Sequence, residues 1–187
     1  MSLQAGSDQA KMLEGIEQAK KDKQERAKRA NQEEIVYHQW ATFKVNNELY
    51  GIDVMQVKEV LRYTDITPVP GSEFYILGII NLRGNVATVI DLRRFFNMPT
   101  VTPDDDTRII MVEFNENEVI GLVVDSVDEV INIPHNEVER APNVSGDDTT
   151  SRRYVQGVTY FNSVLTILMD LGKMMASITP INEDDYH

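Results

Sequence analysis

Two stretches of the chain match each other, and this internal duplication limits the possible folds more than any other feature. Residues 51–60 (GIDVMQVKEV) align without a gap on residues 121–130 (GLVVDSVDEV), an offset of 70, and share a glycine, three valines and a glutamate. Tyr75 and Tyr154 each precede an Asp-Leu pair by sixteen residues, at an offset of 79. The second copy therefore has about nine extra residues, which we place at 146–153, where Ser, Thr, Asp and Gly crowd as in a loop.

Two matching copies in one chain predict two copies of one small structural unit. Each copy has roughly 70–80 residues, a marginal size for a core of its own. We therefore expect the copies to pack on each other and to leave a groove between them.

Short apolar runs rich in Val, Ile, Phe and Tyr predict an all-β fold. The runs come in pairs that are separated by turn residues such as Asn-Asn, Arg-Gly-Asn and Asn-Ser. Four β-hairpins follow from this pattern: 40–45 with 48–52, 76–82 with 86–90, 108–114 with 118–124, and 154–161 with 164–169. Many short strands at this spacing are typical of a barrel or a sandwich with few helices.

Four segments have patterns that predict helices. Apolar residues recur at helical spacing over 54–61 behind Asp53, a residue type favoured at helix N-caps, and again over 123–131 around Asp125. Two short helices, each behind an aspartate and before a proline, are predicted at 92–98 and 171–178.

The domain organisation follows from a change of composition near residue 35. Residues 1–34 form a charged N-terminal extension, rich in helix-forming residues, that we expect to be helical or disordered. Residues 35–187 form the folded domain, with subdomain copies at roughly 37–100 and 105–178 whose strand pairing can exchange between copies.

The net charge of −12 lies wholly in the second half of the chain. Residues 1–100 have 13 basic and 13 acidic residues, whereas 101–187 have 5 basic and 17 acidic ones. An acidic half repels phosphate, so we expect no nucleic-acid partner. No run of about 18 apolar residues occurs, so we expect no direct insertion into a membrane.

The sequence has no signature of an enzyme or of a cofactor site. It has no cysteine, no glycine-rich phosphate loop and no nucleophile elbow. Its three histidines, His38, His135 and His187, lack metal-ligand spacing. We therefore expect no catalytic residue, no metal and no cofactor.

Arg83 is a candidate contact residue because the two copies differ there. Asn-Leu-Arg-Gly at 81–84 corresponds to Tyr-Phe-Asn-Ser at 160–163, so the shared scaffold does not require an arginine. Its planar donor fork suits a carboxylate on a partner, or, as the alternative, a carboxylate of its own barrel.

Several linked motifs resemble the CheW family of bacterial chemotaxis coupling proteins. The resemblance covers residues 39–178, and its most specific part is the linked run from 78 to 91. The matching motifs are YGID at 50–53, VKEV at 57–60, VP at 69–70, ILGIINLRG at 76–84, VIDLR at 89–93 and IGLVVD at 120–125.

The resemblance implies two five-stranded SH3-like β-barrels, related by a pseudo-twofold axis, around a shared core. It also implies a cytoplasmic, non-enzymatic scaffold that is recruited to receptor arrays at the inner face of the membrane. Its partners would be the regulatory domain of the histidine kinase CheA and the cytoplasmic coiled-coil tip of a chemoreceptor.

The implied receptor site is the groove between the barrels, at Val57, Glu59, Arg83 and Val130. We treat Val57 and Val130 as counterparts in the two copies, each with barrel-core packing as the alternative. Glu59 corresponds to Glu129, so a shared structural role competes with receptor contact for Glu59. The kinase would pack on the end or the edge strands of a barrel, at residues that the motifs do not assign.

Two other functions remain open from the sequence. One is a CheW-like adaptor of another chemosensory or surface-motility pathway. The other, from a different class, is a small-ligand-binding β-barrel protein or a hydrolase built on dispersed carboxylates.

Overall fold

The computed structural model describes residues 2–33, 35–140 and 153–178, and within them the chain is mostly β-structure with three α-helices. The proposed insertion at 146–153 and the proline at 180 lie almost wholly outside these residues. The strands are Tyr37–Val45 (β1), Glu48–Asp53 (β2), Val57–Arg62 (β3), Ile76–Leu82 (β4), Asn85–Asp91 (β5), Arg108–Glu113 (β6), Val119–Val124 (β7), Ser126–Pro134 (β8), Glu139–Arg140 (β9), Val155–Phe161 (β10) and Val164–Met169 (β11). The helices are Ser2–Glu33 (α1), Leu92–Phe95 (α2) and Leu171–Ser177 (α3).

The strands form two barrel-like sheets, and neither sheet is built from one sequence copy alone. The six-stranded sheet has the order β8-β1-β2-β11-β10-β9, and the five-stranded sheet has the order β3-β6-β7-β5-β4. In the first, β1 and β2 of one copy lie between β8 and β11 of the other, and in the second, β6 and β7 lie between β3 and β5. The all-β prediction with duplicated barrels is confirmed.

The strand registers repeat at the offsets that the sequence shows. Val89 is opposite Gly121 in the parallel pair of β5 and β7, and Leu168 is opposite Gly51 in the parallel pair of β11 and β2. Adding 79 to the number of Val89 gives Leu168, and subtracting 70 from that of Gly121 gives Gly51. The duplication is thus a property of the backbone as well as of the sequence.

Hydrophobic side chains form three cores. The largest lies between the sheets and includes residues of β1, β2 and β11 from one sheet, β4 to β7 from the other, and both short helices. A second core fills the five-stranded barrel, around Ile80, Ile109 and Met111. A third, smaller core fills the six-stranded barrel, around Trp40 and Leu168. The shared central core explains why each copy needs the other.

The four predicted hairpins are confirmed, with two-residue turns in three of them. Asn46-Asn47, Arg83-Gly84 and Asn162-Ser163 all have positive φ at both positions. This conformation matches the twist of the flanking strands, and Asn and Gly adopt it at low cost.

The two helices predicted at 54–61 and 123–131 are wrong. Asp53 does cap a helical turn, because its carboxylate accepts a hydrogen bond from the Met55 N–H, but this 3-10 turn ends at Gln56. The valines that follow lie in β3, and those around Asp125 lie in β7 and β8. Valine is stiff at χ1 and favours a pleated, half-buried surface, so pairing of β3 with β6 overrides the apparent helical spacing.

The short helices at the ends of the two copies are confirmed as α2 and α3. Asp91 accepts a hydrogen bond from the Arg93 N–H at 3.0 Å, and Asp170 accepts one from the Lys173 N–H at 3.0 Å. Each carboxylate therefore satisfies an N–H that has no partner within the helix.

The N-terminal extension forms one long helix, α1, which belongs to a unit of its own, Met1–Tyr37, separate from the unit His38–His187. Met12, Leu13 and Ile16 are exposed on it. Across the described residues, no helix combines the length and the apolar character needed to cross a bilayer.

Candidate protein-binding site

Arg83 occupies the first position of the tight turn between β4 and β5. Its φ of 54° and that of Gly84, 85°, give the left-handed conformation that such a turn needs. The Asn81 side chain accepts a hydrogen bond from the Gly84 N–H at 3.0 Å and so holds the turn. The turn presents the Arg83 side chain to solvent, with 78% of it exposed.

Glu59 is the partner of Arg83. Nη2 of Arg83 donates a hydrogen bond to Oε2 of Glu59 at 2.9 Å, and the Glu59 side chain is 25% exposed. Glu59 lies on β3, and Arg83 follows β4, and these two strands are the opposite edges of the five-stranded sheet. The ion pair therefore joins the two edges where the sheet curls into a barrel.

The matching turn of the other barrel shows that this arginine is not needed for the backbone. Asn162 and Ser163 have φ of 49° and 65°, so they form the same kind of turn without an arginine or a glycine. Both readings of Arg83 thus have support: it pairs with a carboxylate of its own barrel, and most of its surface remains open. One exposed ion pair contributes about 0–1 kcal/mol, too little to explain the residue by stability alone.

Val57 and Val130 occupy different environments, and treating them as counterparts is wrong. At the offset of 70, Val57 corresponds to Val127, and Val130 corresponds to Val60. Val57 is half-buried against the central core, whereas Val130 is 55% exposed on β8. The structure places Glu59 and Arg83 in contact and Val57 on the same strand as Glu59, while Val130 lies in the other sheet.

A half-buried ion pair fixes the start of β8. Nε and Nη2 of Arg93 donate to the two carboxylate oxygens of Asp125 at 2.8 and 2.6 Å, and Nη1 donates to the Pro99 carbonyl at 2.8 Å. Asp125 also accepts from the Asn46 N–H at 2.8 Å. The pair therefore ties α2, the β1–β2 turn and the β7–β8 junction together. Sequence reasoning missed it, because α2 and the junction belong to different copies.

Burial and hydrogen bonding have opposite effects on the pKa values of two aspartates here: Asp125, a member of the pair, and Asp91, which precedes α2. Burial would raise the pKa of Asp125, but the hydrogen bonds from Arg93 and from the Asn46 N–H together hold that pKa below its ordinary value. At Asp91 burial is the stronger influence and raises the pKa, despite the hydrogen bond from the Arg93 N–H.

A group of exposed apolar side chains on the hairpin of β10 and β11 was also missed. Tyr160, Val164 and Leu165 are 67%, 51% and 44% exposed. At the offset of 79, the first two replace Asn81 and Asn85 of the other hairpin. The alignment of 81–84 on 160–163, which marks Arg83, already contains Tyr160, and its extension to 164 and 165 contains the other two.

The arrangement has the properties of a protein-binding module. Its distinctive groups are an exposed arginine, a carboxylate that orients it and exposed valines on barrel strands, all suited to binding another polypeptide. Within the described ranges, no three side chains of the metal-ligating types converge on one point.

Comparisons with known proteins agree with this class. The CheW-like domain family matches residues 39–179. The chain is 32% identical to the chemotaxis protein CheW of Klebsiella aerogenes over 144 residues, which are 77% of this chain and 85% of that one. It is 45% identical to CheW of Bacillus subtilis over 107 residues, 57% of this chain and 68% of that one. The scaffolding protein TtCheW of Thermoanaerobacter tengcongensis matches in structure with a TM-score of 0.67 and 35% identity, over 77% of this chain and 95% of that one.

The chain belongs to the CheW-like family. It is accordingly a non-enzymatic adaptor and scaffold of chemotaxis signalling, as the sequence predicted.

Proposed function

We propose that this adaptor couples the cytoplasmic tip of a chemoreceptor coiled coil to the regulatory domain of the histidine kinase CheA. It acts in the cytoplasm, at receptor arrays on the inner face of the membrane. The observation that supports this proposal best is Arg83: an exposed, oriented guanidinium on a turn whose counterpart, Asn162, keeps the same backbone without it.

The receptor helix contacts Glu59, Arg83 and Val130. Val57 packs against the central core behind the strand that carries Glu59. A helix in a groove needs apolar contacts for affinity and a few charged groups to set its register. Glu59 orients Arg83 before the receptor arrives, which lowers the ordering cost of binding. The remaining guanidinium N–H groups are then available to carboxylates or carbonyls of the receptor.

Val130 and Val57 contribute to this interface in different ways. Val130 is 55% exposed and gives apolar surface directly. Val57 packs against the central core, so it supports the strand that carries Glu59 more than it adds contact area.

The kinase domain binds a second surface, so one molecule can hold both partners. The CheA regulatory domain is itself CheW-like in the family that this chain resembles, which makes barrel-to-barrel contact through edge strands or barrel ends the natural mode. An adaptor without chemistry changes the kinase only through differential binding, because a receptor state must favour one arrangement of the complex over another.

Size-exclusion chromatography with purified partners tests this proposal. The full chain is mixed with a receptor cytoplasmic fragment, with the CheA regulatory domain, and with both. We expect two binary complexes and one ternary complex. Elution of the chain apart from either partner at concentrations of about 50 µM would contradict the proposal, because weak adaptor contacts of µM affinity are populated there.

A further inference from the structure

Two histidines that are far apart in the sequence have their rings in contact. The ring centroids of His38 and His135 are 5.9 Å apart, with 51° between the ring planes. His38 is the second residue of β1, and His135 begins the 3-10 turn directly after β8, the neighbour of β1 in the six-stranded sheet. Both side chains are exposed.

We propose that His38 and His135 bind one divalent transition-metal ion, with Zn²⁺, Ni²⁺ and Cu²⁺ as the fitting chemistry. Imidazole nitrogens are good ligands for these ions. With a metal–nitrogen distance of about 2.0–2.1 Å, a ring centroid lies roughly 3 Å from the ion. Two imidazoles on one tetrahedral ion would have their centroids about 5 Å apart. The observed separation is 5.9 Å, so the two rings must approach each other by about 1 Å to share one ion.

The site has two ligands from the protein and open positions for water. Within the part of the chain that the structure describes, no third side chain of a ligating type joins the pair. Such an open site binds more weakly than a closed structural zinc site, and it can accept a ligand from a partner. A bound ion would clamp the start of β1 to the end of β8, the strand that carries Val130.

Trp40 gives this site a built-in reporter. It is the chain's only tryptophan, and its ring centroid is 6.3 Å from that of His38. Trp40 is 5% exposed, and its indole N–H has no hydrogen-bond partner among the described residues, so its surroundings are fixed by packing. A Cu²⁺ ion at the histidine pair lies close enough to quench its fluorescence.

Metal titrations of the full chain, purified without a histidine tag, test the proposal. ZnCl₂ is titrated by calorimetry, and CuCl₂ is titrated while Trp40 fluorescence is recorded. We expect one ion per chain, and at least a tenfold weaker affinity in His38→Ala and in His135→Ala. The matched control is His187→Ala, whose histidine lies outside the described residues, and it should bind within twofold of the parent chain.

A second readout is thermal unfolding with and without ZnCl₂. An ion that binds only the folded chain raises Tm by mass action, and the rise should vanish in His38→Ala. The proposal is overturned if the parent chain shows no saturable binding below 1 mM, or if the His38 and His135 variants bind as the parent does. Neither result depends on receptor or kinase binding.

Discussion

Arg83 shows how much of one residue's role the sequence alone can predict. The difference between the two copies marked it as a contact candidate, and the structure places it on an exposed turn. Its pairing with Glu59 could not be predicted, because it depends on the curling that brings β3 and β4, the two edges of one sheet, together. The same limit applies to Arg93 and Asp125, whose contact crosses from one copy to the other.

Replacing Arg83 separates its two roles. We expect Arg83→Ala to weaken receptor binding at least tenfold, because the oriented guanidinium is lost, while the free energy of unfolding falls by at most about 1 kcal/mol. Binding is measured by titration of a receptor cytoplasmic fragment, and stability by urea unfolding. Lys58→Ala is the matched control, since Lys58, next to Glu59 on β3, forms a similar exposed ion pair with Glu113 of β6 at 3.5 Å. A large loss of stability with intact binding would assign Arg83 to the structural role.

The Arg93–Asp125 pair should make stability depend on pH in a known direction. The pKa of Asp125 is lowered in the folded chain, so its contribution is complete above the unfolded value of about 3.9 and is lost as pH falls through the folded value. We expect Asp125→Asn to cost about 1.5–3 kcal/mol at pH 6, as for hydrogen bonds to a charged group. The difference from the parent chain should shrink by pH 3.

Urea unfolding at the two pH values measures this difference. Asp65→Asn, at an exposed aspartate, is the control and should change little at either pH. A loss of unfolding free energy for Asp125→Asn that is the same at pH 6 and pH 3 would show that the carboxylate charge has no part in the Arg93–Asp125 contact.

Among the strands and turns, two pairs of corresponding glycines show where the barrels have no room for a side chain. Gly51 and Gly121 face the two barrel interiors, where an added Cβ would lie 3.0 Å from Leu168 and 2.8 Å from Ile109 respectively. Gly78 and Gly157 let another segment cross closely, since an added Cβ would lie 2.0 Å from the Thr67 carbonyl oxygen and 2.7 Å from that of Glu139. The copies repeat these residues because both barrels have the same close approaches.

Gly78→Ala should prevent stable folding. Its φ of 147° is unfavourable for alanine, and the new Cβ would displace Thr67, which exchanges two hydrogen bonds of 2.9 Å with Ile79. We expect a loss of more than about 3 kcal/mol or no folded protein. Gly71→Ala is the control: its φ is 80° but its Cβ would meet open space, so the cost should be about 1–2 kcal/mol. Equal costs for the two variants, measured by urea unfolding, would contradict this account.

Hairpins were easier to predict than the strands that follow them. Asn46-Asn47 and Arg83-Gly84 carry their turn preference locally, so the sequence reveals them. The valines of β3 have no such local signal: a bulge between Val57 and Glu59 shifts the register with β6, and this partner strand comes about fifty residues later. Tertiary pairing, which a pattern within ten residues does not contain, decides between helix and strand there.

Val130 on β8 is the best position to test the groove with a bulky residue. We expect Val130→Trp to weaken receptor binding at least tenfold with little change in Tm, because the side chain points largely into solvent. Val101→Trp is the control, since Val101 is also 55% exposed but lies outside the proposed groove. Val57→Trp is a poorer test because overpacking the core costs about 1–3 kcal/mol. Receptor affinity that is equal in the Val130 and Val101 variants would remove Val130 from the site.

At the scale of the whole molecule, strand exchange makes the two barrels one folding unit. Each sheet needs strands from both copies, and the largest core lies between the sheets. The duplication predicted the number of barrels and their shared core. It did not predict which side chains meet where strands of the two copies join, because those contacts involve positions that differ between the copies.

The central claim is that this chain makes kinase activity depend on the receptor. The most direct measurement is the rate of CheA phosphorylation in a mixture of kinase and receptor fragment, as a function of added chain. We predict that the rate responds to the receptor only when the chain is present, and that Arg83→Ala reduces this response while Lys58→Ala does not. A rate that is the same with and without the chain, at concentrations where both partners bind it, would contradict the account.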